Sequence, residues 1–291
     1  MKLINLGSEI GILKGDKYFL LNEVLKDLKI NKKIYSVLGF IKKINDKELD
    51  LIKNSLEKIK INKYNLDFNK LYSPISKPKR NIICVGKNYY EHAKELEGQT
   101  SNIKGIPNDP IFFSKMPNKI IGNKDKIIID DRVEVDYEVE LAVIIGKEGK
   151  NIEKKDVNKY IFGYSIFNDI SDRNLQKKHD QWFLGKSVDS FSSMGPCIVI
   201  KDEIDNPHDL DISLKINGEI RQSSNTSHMF YKISDLISEL SKHLTLKPGD
   251  IIATGTPSGV GMGFNPPKYL KAGDTVTCFI EKIGILENIV N

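Results

Sequence analysis

Cysteine is scarce in this chain of 291 residues, and long apolar runs are lacking. There are only three cysteines, Cys84, Cys197 and Cys278, which are widely spaced and lie in apolar sequence. This pattern is typical of reduced core thiols in a cytosolic protein, not of a disulfide framework or a zinc site. No apolar stretch approaches the roughly 20 residues that span a bilayer, and the N-terminus lacks the basic region and apolar core of a signal peptide. We therefore expect a cytoplasmic protein with no membrane partner.

A large excess of charge of one sign is also lacking. The 44 Lys and Arg residues outnumber the 39 Asp and Glu residues by only five, and no basic run carries interleaved aromatic residues. Nucleic-acid binding therefore has little support. The hydrophobic fraction of 40% and the charged fraction of 29% are those of an ordinary globular protein with a substantial core. At this length the chain forms one large domain or two smaller ones.

The character of the sequence changes near residue 75. Residues 1–75 combine short strand-like pieces with helical stretches rich in Lys, Asn and Leu, and the proline-containing segment Pro74–Arg80 is typical of a linker. From Ile82 onward the chain is rich in strands and glycine, with many strands and few short helices. We therefore predict a small N-terminal α+β domain over residues 1–75 and a larger domain over residues 76–291. The fold class is α+β and β-rich, a roll or barrel with peripheral helices.

Two acidic residues stand out in the strand-like segment Val135–Gly146. Glu138 and Glu140 are two residues apart, so on a strand they point to the same face. Two carboxylates side by side among Val, Ile and Leu repel each other, and a cation between them would remove the conflict. Carboxylate oxygens suit Mg, Mn or Ca. The alternative is a solvent-facing edge of an amphipathic strand.

Two further charged residues follow apolar sequence. Asp169 comes at the end of a strand-like run, where it either supplies a third metal-binding carboxylate or caps the following turn. Lys186 lies in the apolar and aromatic segment Gln181–Ser187. A lysine in such a place either extends its amine to the surface or faces an anionic ligand.

A histidine and a glutamate form the third candidate group. His92 and Glu95 are three residues apart on the predicted helix Tyr90–Leu96 and are therefore within reach of each other. A carboxylate beside an imidazole raises its basicity and selects its tautomer, as for a general base; an exposed ion pair is the alternative. Downstream, Thr254–Gly261 follows a strand and can offer N–H groups to an oxyanion, but it lacks the Lys-Ser/Thr ending of a phosphate loop.

Together these residues resemble a known family. From Asn81 to Ile283 the chain is similar to the fumarylacetoacetate hydrolase family, with its motifs in the family's order and spacing. The matching pieces are Gly86-Lys87-Asn88-Tyr89 with His92 and Glu95, Asp136-Tyr137-Glu138-Val139-Glu140-Leu141, Asn168-Asp169 with Arg173 and Gln176, Gly185-Lys186-Ser187, and Thr254-Gly255-Thr256-Pro257-Ser258-Gly259-Val260-Gly261. The chain has Asp172-Arg173-Asn174 where many members have Ala-Arg-Asp, and the run Gly261–Leu270 is similar to the branch that hydrolyses 2,4-diketo acids.

The resemblance implies a mixed β-sandwich roll with a smaller N-terminal domain, usually as a homodimer. It implies one divalent cation per subunit, Mg or Mn, bound by Glu138, Glu140 and Asp169. It also places the His92–Glu95 pair on a lid, which we expect to span residues 90–110, mobile when empty and ordered over a bound ligand. The residues implied to face the substrate's oxygens are Lys186, Arg173, Gln176 and Thr256.

The resemblance further implies an enzyme that acts on a small 2-keto or 2,4-diketo acid. The expected reaction is hydrolysis of a C–C bond in an acylpyruvate or other 2,4-diketo acid through a metal-bound enolate, giving pyruvate or a related 2-keto acid and a carboxylic acid. Lys186 would assist as a cation, and His92, oriented by Glu95, would deprotonate the attacking water. The alternatives on the same site are oxaloacetate decarboxylation and isomerisation of 2-hydroxyhepta-2,4-diene-1,7-dioate. A third alternative is a non-catalytic scaffold. The intact metal-binding residues and the intact His92–Glu95 dyad argue against it.

Overall fold

The computed structural model describes residues 1–58, 61–95 and 107–291. In these ranges the chain forms strands β1 (Lys2–Asn5), β2 (Ile10–Lys14), β3 (Lys17–Leu20), β4 (Tyr64–Asn65), β5 (Ile82–Gly86), β6 (Ile111–Lys115), β7 (Lys126–Ile127), β8 (Val135–Asp136), β9 (Val139–Ile145), β10 (Ile161–Asp169), β11 (Ser171–Asp172), β12 (Ser192–Ile200), β13 (Asp211–Ile216), β14 (Glu219–Asn225), β15 (Ile251–Ala253), β16 (Thr275–Ile280) and β17 (Gly284–Val290). The α-helices are α1 (Leu21–Asp27), α2 (Val37–Lys43), α3 (Asp46–Ser55), α4 (Tyr90–Glu95), α5 (Arg173–Lys178), α6 (Phe183–Lys186) and α7 (Ile233–His243). Short 3-10 turns cover Phe68–Lys70, Lys154–Lys159, Lys201–Glu203, Thr226–His228 and Gly261–Gly263.

Two large sheets pack on each other. The first has ten strands in the order β4-β3-β2-β1-β12-β10-β9-β15-β5-β6, and the second has five in the order β14-β13-β16-β17-β7. Most neighbours are antiparallel, but β15 pairs with β5 and β17 pairs with β7 in parallel. Strands β9, β10 and β12 of the first sheet contact β13, β16 and β17 of the second. The fold is therefore a mixed, strand-rich α+β sandwich with peripheral helices, and the predicted fold class is confirmed.

Strand β9 is buried on both faces. Along it, Leu141 and Val143 belong to the apolar cluster between the two sheets, while Ala142 and Ile144 belong to a second cluster that includes residues of α1 and α2. Because successive side chains alternate, Glu140 points toward the second cluster, where it is 1% exposed. The alternative of a solvent-facing amphipathic edge is therefore wrong.

The N-terminal segment continues the large sheet. Strand β1 pairs with β12, with Lys2 opposite Val199 and Leu3 opposite Ile198, so main-chain hydrogen bonds join residues on the two sides of the predicted boundary. Whether residues 1–75 form a separate domain stays a prediction.

Two helices differ slightly from what their sequences predict. The amphipathic pattern of Tyr231–His243 predicts a helix over those residues, and the helix begins at Ile233. The stretch Asp46–Lys60, rich in Lys, Asn and Leu, predicts a longer helix than the one observed, which ends at Ser55; residues 59 and 60 lie outside the described part of the chain. Helix α2 was not predicted, because Gly39 in its first turn is a weak helix former. Its start is stabilised by the Ser36 side chain, which accepts a hydrogen bond from the N–H of Gly39.

None of the helices in the described ranges has the length and apolar character needed to cross a membrane.

Candidate active site

Three carboxylates from two neighbouring strands meet at one point. Glu138 immediately precedes β9, Glu140 lies on β9, and Asp169 is the last residue of β10. The antiparallel register places Asn168 opposite Val139 and so brings the strand ends together. One oxygen from each carboxylate lies within 4.8 Å of the others, and all three residues are buried. The carboxylates therefore converge as the sequence predicted; their role as metal ligands stays a prediction.

Lys186 is directed into this cluster. Its Nζ lies 2.6 Å from Glu138 Oε2 and 2.9 Å from Asp169 Oδ2, and the residue is 2% exposed. The alternative of an amine that extends to the surface is therefore wrong. Asp169 is likewise not a turn cap, since its two oxygens accept from lysine side chains. Burial tends to lower the pKa of Lys186, but the negative charges of Asp169 and Glu138 outweigh it and raise the pKa above its ordinary value.

Arg173 supplies a second cation to Glu138. Helix α5 begins at Arg173 because Asp172 caps it, accepting a hydrogen bond from the N–H of Leu175. Arg173 then donates from Nη2 to Glu138 Oε1 at 2.7 Å and from Nη1 to Gln176 Oε1 at 3.0 Å. Burial acts to raise the pKa of Glu138, yet the charges of Lys186 and Arg173 lower it to about 2.

Within the described ranges, Glu140 has no such direct cationic partner. Among the described residues it accepts one hydrogen bond, from the N–H of Gly255 at 2.8 Å. Burial and the negative charges of Asp169 and Glu138 raise the pKa of Glu140 well above its ordinary value. Three clustered carboxylates, one of them poorly neutralised, form a donor set that suits a hard divalent cation such as Mg or Mn. Glu138, Glu140 and Asp169 therefore fit the metal that the sequence predicts.

A second buried lysine was not predicted from the sequence. Lys115, at the end of β6, is fully buried and donates to Asp169 Oδ1 at 2.5 Å, to the carbonyl of Ile170 at 2.8 Å and to the carbonyl of Phe191 at 2.7 Å. These three acceptors use all three N–H bonds of the ammonium. Lys115 therefore holds one oxygen of Asp169, while the other faces Lys186. In the sequence, Lys115 follows Ile111–Phe113 and Ser114, a pattern that does not distinguish a buried lysine from an exposed one.

Asp136 was also missed, although its motif was recognised. It is fully buried and accepts hydrogen bonds from Arg173 Nε at 2.9 Å and from the N–H groups of Gly261 at 2.6 Å and Met262 at 3.1 Å. Asp136 thus links the arginine of the acidic cluster to the glycine-rich turn. Burial acts to lower the pKa of Arg173, but Asp136 and Glu138 raise it above its ordinary value.

The hydroxyl of Thr256 is engaged in holding its loop. It donates to the carbonyl of Val139 at 2.9 Å and accepts from Gln222 Nε2 at 2.8 Å. Gln222, which was not predicted, is fully buried and also donates to the carbonyl of Pro257 at 2.7 Å. Thr256 lines the cavity, but its hydroxyl proton points to the main chain. A substrate contact is left to its other lone pair or to its main-chain N–H.

His92 and Glu95 meet on helix α4. His92 Nδ1 lies 3.2 Å from Glu95 Oε2, and His92 is 4% exposed, so the alternative of an exposed ion pair is wrong. The other oxygen of Glu95 accepts a hydrogen bond from the N–H of Gly259 at 2.9 Å. Of the predicted lid, residues 96–106 lie outside the described part of the chain, and its movement stays a prediction.

These groups surround a cavity of about 30 Å³. Seven of the nine predicted site residues line it, whereas Glu95 and Asp169 lie behind it, bonded to His92 and Lys186. The lining also contains Lys87, Phe113 and Trp182, which were not predicted as site residues. The rings of Phe113 and Trp182 pack edge to face, with centroids 5.1 Å apart, so part of the wall is apolar.

A strand-rich sandwich with a buried acidic cluster of this kind defines the class of the protein. The family model described as fumarylacetoacetate (FAA) hydrolase, C-terminal, matches residues 81–291, and the chain belongs to the fumarylacetoacetate hydrolase family.

Among its relatives, the oxaloacetate tautomerase YisK of Bacillus subtilis is 48% identical over 227 residues, which are 77% of this chain and 74% of that protein. The mitochondrial oxaloacetate tautomerase Fahd2a of Rattus norvegicus is 47% identical over 220 residues, 75% of this chain and 68% of that protein. A solved fumarylacetoacetate hydrolase from Exiguobacterium antarcticum superposes with a TM-score of 0.79 at 34% identity, covering 100% of this chain and 99% of that one.

The first prediction concerns Lys115. Replacing it by methionine removes the partner of Asp169 Oδ1, and losing such a partner of a metal ligand typically costs 10–100-fold in metal affinity. We therefore expect Lys115→Met to bind Mn²⁺ about 10–100-fold more weakly in titration calorimetry. Lys119→Met, at a lysine with 47% of its side chain exposed, is the matched control and should bind as the wild type does. Equal affinity in the two variants would contradict the role of Lys115.

The second prediction concerns Glu140. Because its pKa is raised in the folded protein, its carboxylate destabilises the fold at any pH above the ordinary carboxylate range. Glu140→Gln should therefore raise the Tm of the metal-free protein at pH 7 by roughly 2–4 °C, the shift that about 1 kcal/mol produces in a protein of similar size. Added Mn²⁺ should then no longer raise the Tm. The exposed Glu153→Gln should leave both values unchanged; a metal-induced shift that persists in Glu140→Gln would show that Glu140 is not a ligand.

Proposed function

We propose that the protein interconverts the keto and enol forms of oxaloacetate or of a closely related small 2-oxo diacid. The observation that carries the proposal is Lys186, a buried ammonium held between Glu138 and Asp169 on the wall of the cavity. The two relatives of 47–48% identity, both named oxaloacetate tautomerases, support this substrate.

The carboxylates of Glu138, Glu140 and Asp169 would hold one Mg or Mn ion. When bound, such an ion polarises the carboxylate and 2-oxo oxygens of a 2-oxo acid as a Lewis acid. Lys186 and Arg173 add fixed positive charge beside the same position. Because the neighbouring carboxylates raise the pKa of both side chains, each remains cationic at neutral pH.

Tautomerisation moves a proton without breaking the carbon skeleton. From keto to enol, the C3–H bond breaks, its electron pair forms the C2–C3 double bond, and the 2-oxo oxygen gains a proton. Lys186 is the donor to that oxygen, and His92, oriented by Glu95 and lining the same cavity, accepts the proton from C3. Exchange of one proton with water then restores both groups for the next turnover, and the reverse direction uses the same two groups with their tasks exchanged.

Hydrolysis of an acylpyruvate is the second candidate function. It is favoured by the buried His92–Glu95 pair, because water must lose a proton to attack a carbonyl carbon. His92 would take that proton, the hydroxide would add to the distal carbonyl, and the C–C bond would break to give a carboxylic acid and the enol of the 2-oxo acid. The TM-score of 0.79 to a fumarylacetoacetate hydrolase supports this reading. Oxaloacetate decarboxylation and 2-hydroxyhepta-2,4-diene-1,7-dioate isomerisation use the same Lys186 and need no water.

We extend the proposal to the setting of the enzyme. One Mg or Mn ion per subunit, a homodimer and a cytoplasmic location are the arrangement that the family resemblance and the sequence imply. We propose a small acid as the only partner besides a second copy of the chain, with neither nucleic acid nor membrane involved.

The third prediction tests the proposed reaction. With Mg²⁺ or Mn²⁺, the protein should accelerate the decay of the enol absorbance of oxaloacetate. This decay should be faster than the formation of pyruvate. Lys186→Met should lower the rate of enol decay by about 10²–10⁴-fold, the usual contribution of a positioned acid or base. The variant Lys178→Met, at an exposed lysine, should keep the wild-type rate. Assays of oxaloacetate decarboxylation and of an acylpyruvate panel run beside it separate the functions. Pyruvate release that keeps pace with enol decay, or turnover of acylpyruvates alone, would reject the tautomerase.

The fourth prediction concerns His92. His92→Ala should lower kcat by about 10²–10⁴-fold for the substrate that the wild type turns over. Oxalate affinity should hardly change, because Lys186 and the metal ion that the three carboxylates would hold, which are the groups expected to bind the oxalate oxygens, are not altered. Calorimetric titration of the metal-loaded variant with oxalate provides the comparison. A parallel loss of oxalate affinity and kcat would make His92 a binding residue, and unchanged oxaloacetate turnover would restrict it to the water-dependent reaction.

A further inference from the structure

Gly263 lies directly against the carboxylate of Glu95. A Cβ added to Gly263 would lie 2.6 Å from Glu95 Cγ and closer still to its carboxylate atoms, which no real packing allows. The backbone of Gly263 is not left-handed, so any residue could adopt its conformation. The three atoms nearest to such a Cβ all belong to Glu95, so the side chain of Glu95 occupies the space that a side chain at Gly263 would need.

The two oxygens of Glu95 have different partners. Oε2 contacts His92 Nδ1 at 3.2 Å, and Oε1 accepts the N–H of Gly259 at 2.9 Å. Gly259 has a left-handed φ of +100°, and a side chain there would overlap the carbonyl oxygen of Arg221. The turn therefore offers Glu95 one N–H donor at Gly259 and free space at Gly263.

The turn is itself anchored to the acidic cluster. The N–H groups of Gly261 and Met262 donate to Asp136, and Asp136 also binds Arg173. Arg173 in turn binds Glu138. A continuous series of hydrogen bonds thus fixes the place that receives Glu95 relative to the place where the substrate's oxygens would lie.

We propose that the turn Gly259–Gly263 is a receptor for Glu95 and that Gly263 is a positioning residue for His92. Because Gly263 has no side chain, one carboxylate can hold helix α4 against the turn and orient the imidazole at the same time. His92 is therefore oriented only when α4 is docked. The inference rests on the proposed function in one respect, namely that His92 is the acid–base group that Glu95 orients.

The test is Gly263→Ala. The added methyl meets the end of a flexible side chain, so the fold should persist while Glu95 is displaced. We expect faster amide hydrogen exchange over residues 90–95 in the substrate-free protein, and a kcat reduced at least 10-fold with unchanged oxalate affinity. Gly39→Ala is the matched control, since its Cβ would meet only the Ser36 hydroxyl at 3.0 Å and Ile34 at 3.6 Å; it should change neither exchange nor kcat.

A double variant separates positioning from a general defect. Gly263→Ala and Glu95→Gln act through the same carboxylate, so together they should lower kcat little more than Glu95→Gln alone. If Gly263→Ala fails to fold, adding Glu95→Ala removes the atoms that clash and should restore the fold.

Each outcome bears on the proposal. Unchanged exchange over residues 90–95 in Gly263→Ala would overturn the proposal. So would a double variant whose loss of kcat equals the product of the losses in Gly263→Ala and Glu95→Gln. If Gly263→Ala does not fold, failure of Glu95→Ala to restore its fold would also overturn the proposal. Faster exchange with normal turnover would do the same, because docking would then be irrelevant to His92. The exchange measurement needs no substrate, so a wild type inactive on oxaloacetate and acylpyruvates would reject the proposed function while the receptor for Glu95 is still decided.

Discussion

Burial of like charges is the constraint on which the rest of the site depends. Glu138, Glu140 and Asp169 lie within 4.8 Å of one another with almost no exposure to water, and an unpaired buried carboxylate is strongly unfavourable. The fold meets this by bringing cations from separate elements, among them Lys115 on β6 and Lys186 on α6. Glu140 remains poorly neutralised, which makes its position the one most suited to a divalent cation.

The sandwich supplies the rigidity that such a cluster needs. The carboxylates are carried by β9 and β10, two central strands whose register is set by a ladder of main-chain hydrogen bonds. Gln222 from the second sheet then fastens the loop around Thr256 to β9, through its bonds to Val139 and Thr256. Lys186, Arg173 and the His92–Glu95 dyad come instead from short helices at the edge of this frame. The three carboxylates on the strands are therefore placed more precisely than the His92–Glu95 dyad on its short helix.

Local sequence patterns predicted much of the arrangement of the site residues. Alternation along Val135–Gly146 placed Glu138 and Glu140 on one face, and the i,i+3 spacing placed His92 beside Glu95, as the structure shows. Lys115 and Gln222 could not be found in this way. Lys115 is 54 residues from Asp169 and Gln222 is 83 residues from Val139, and a buried lysine or glutamine has no local pattern that distinguishes it from an exposed one.

The sequence by itself determined the strand-rich fold class, the family and the residue types of the site, because periodicity and motif spacing are local properties. Tertiary structure alone decided which polar side chains are hydrogen-bonded within the protein and which partner each of them has. It turned the Thr256 hydroxyl toward the main chain, gave Lys115 to Asp169, and seated Glu95 between His92 and the glycine turn. The physical reason is that hydrogen-bond partners and available space depend on distant segments brought together by packing, which no single stretch of chain specifies.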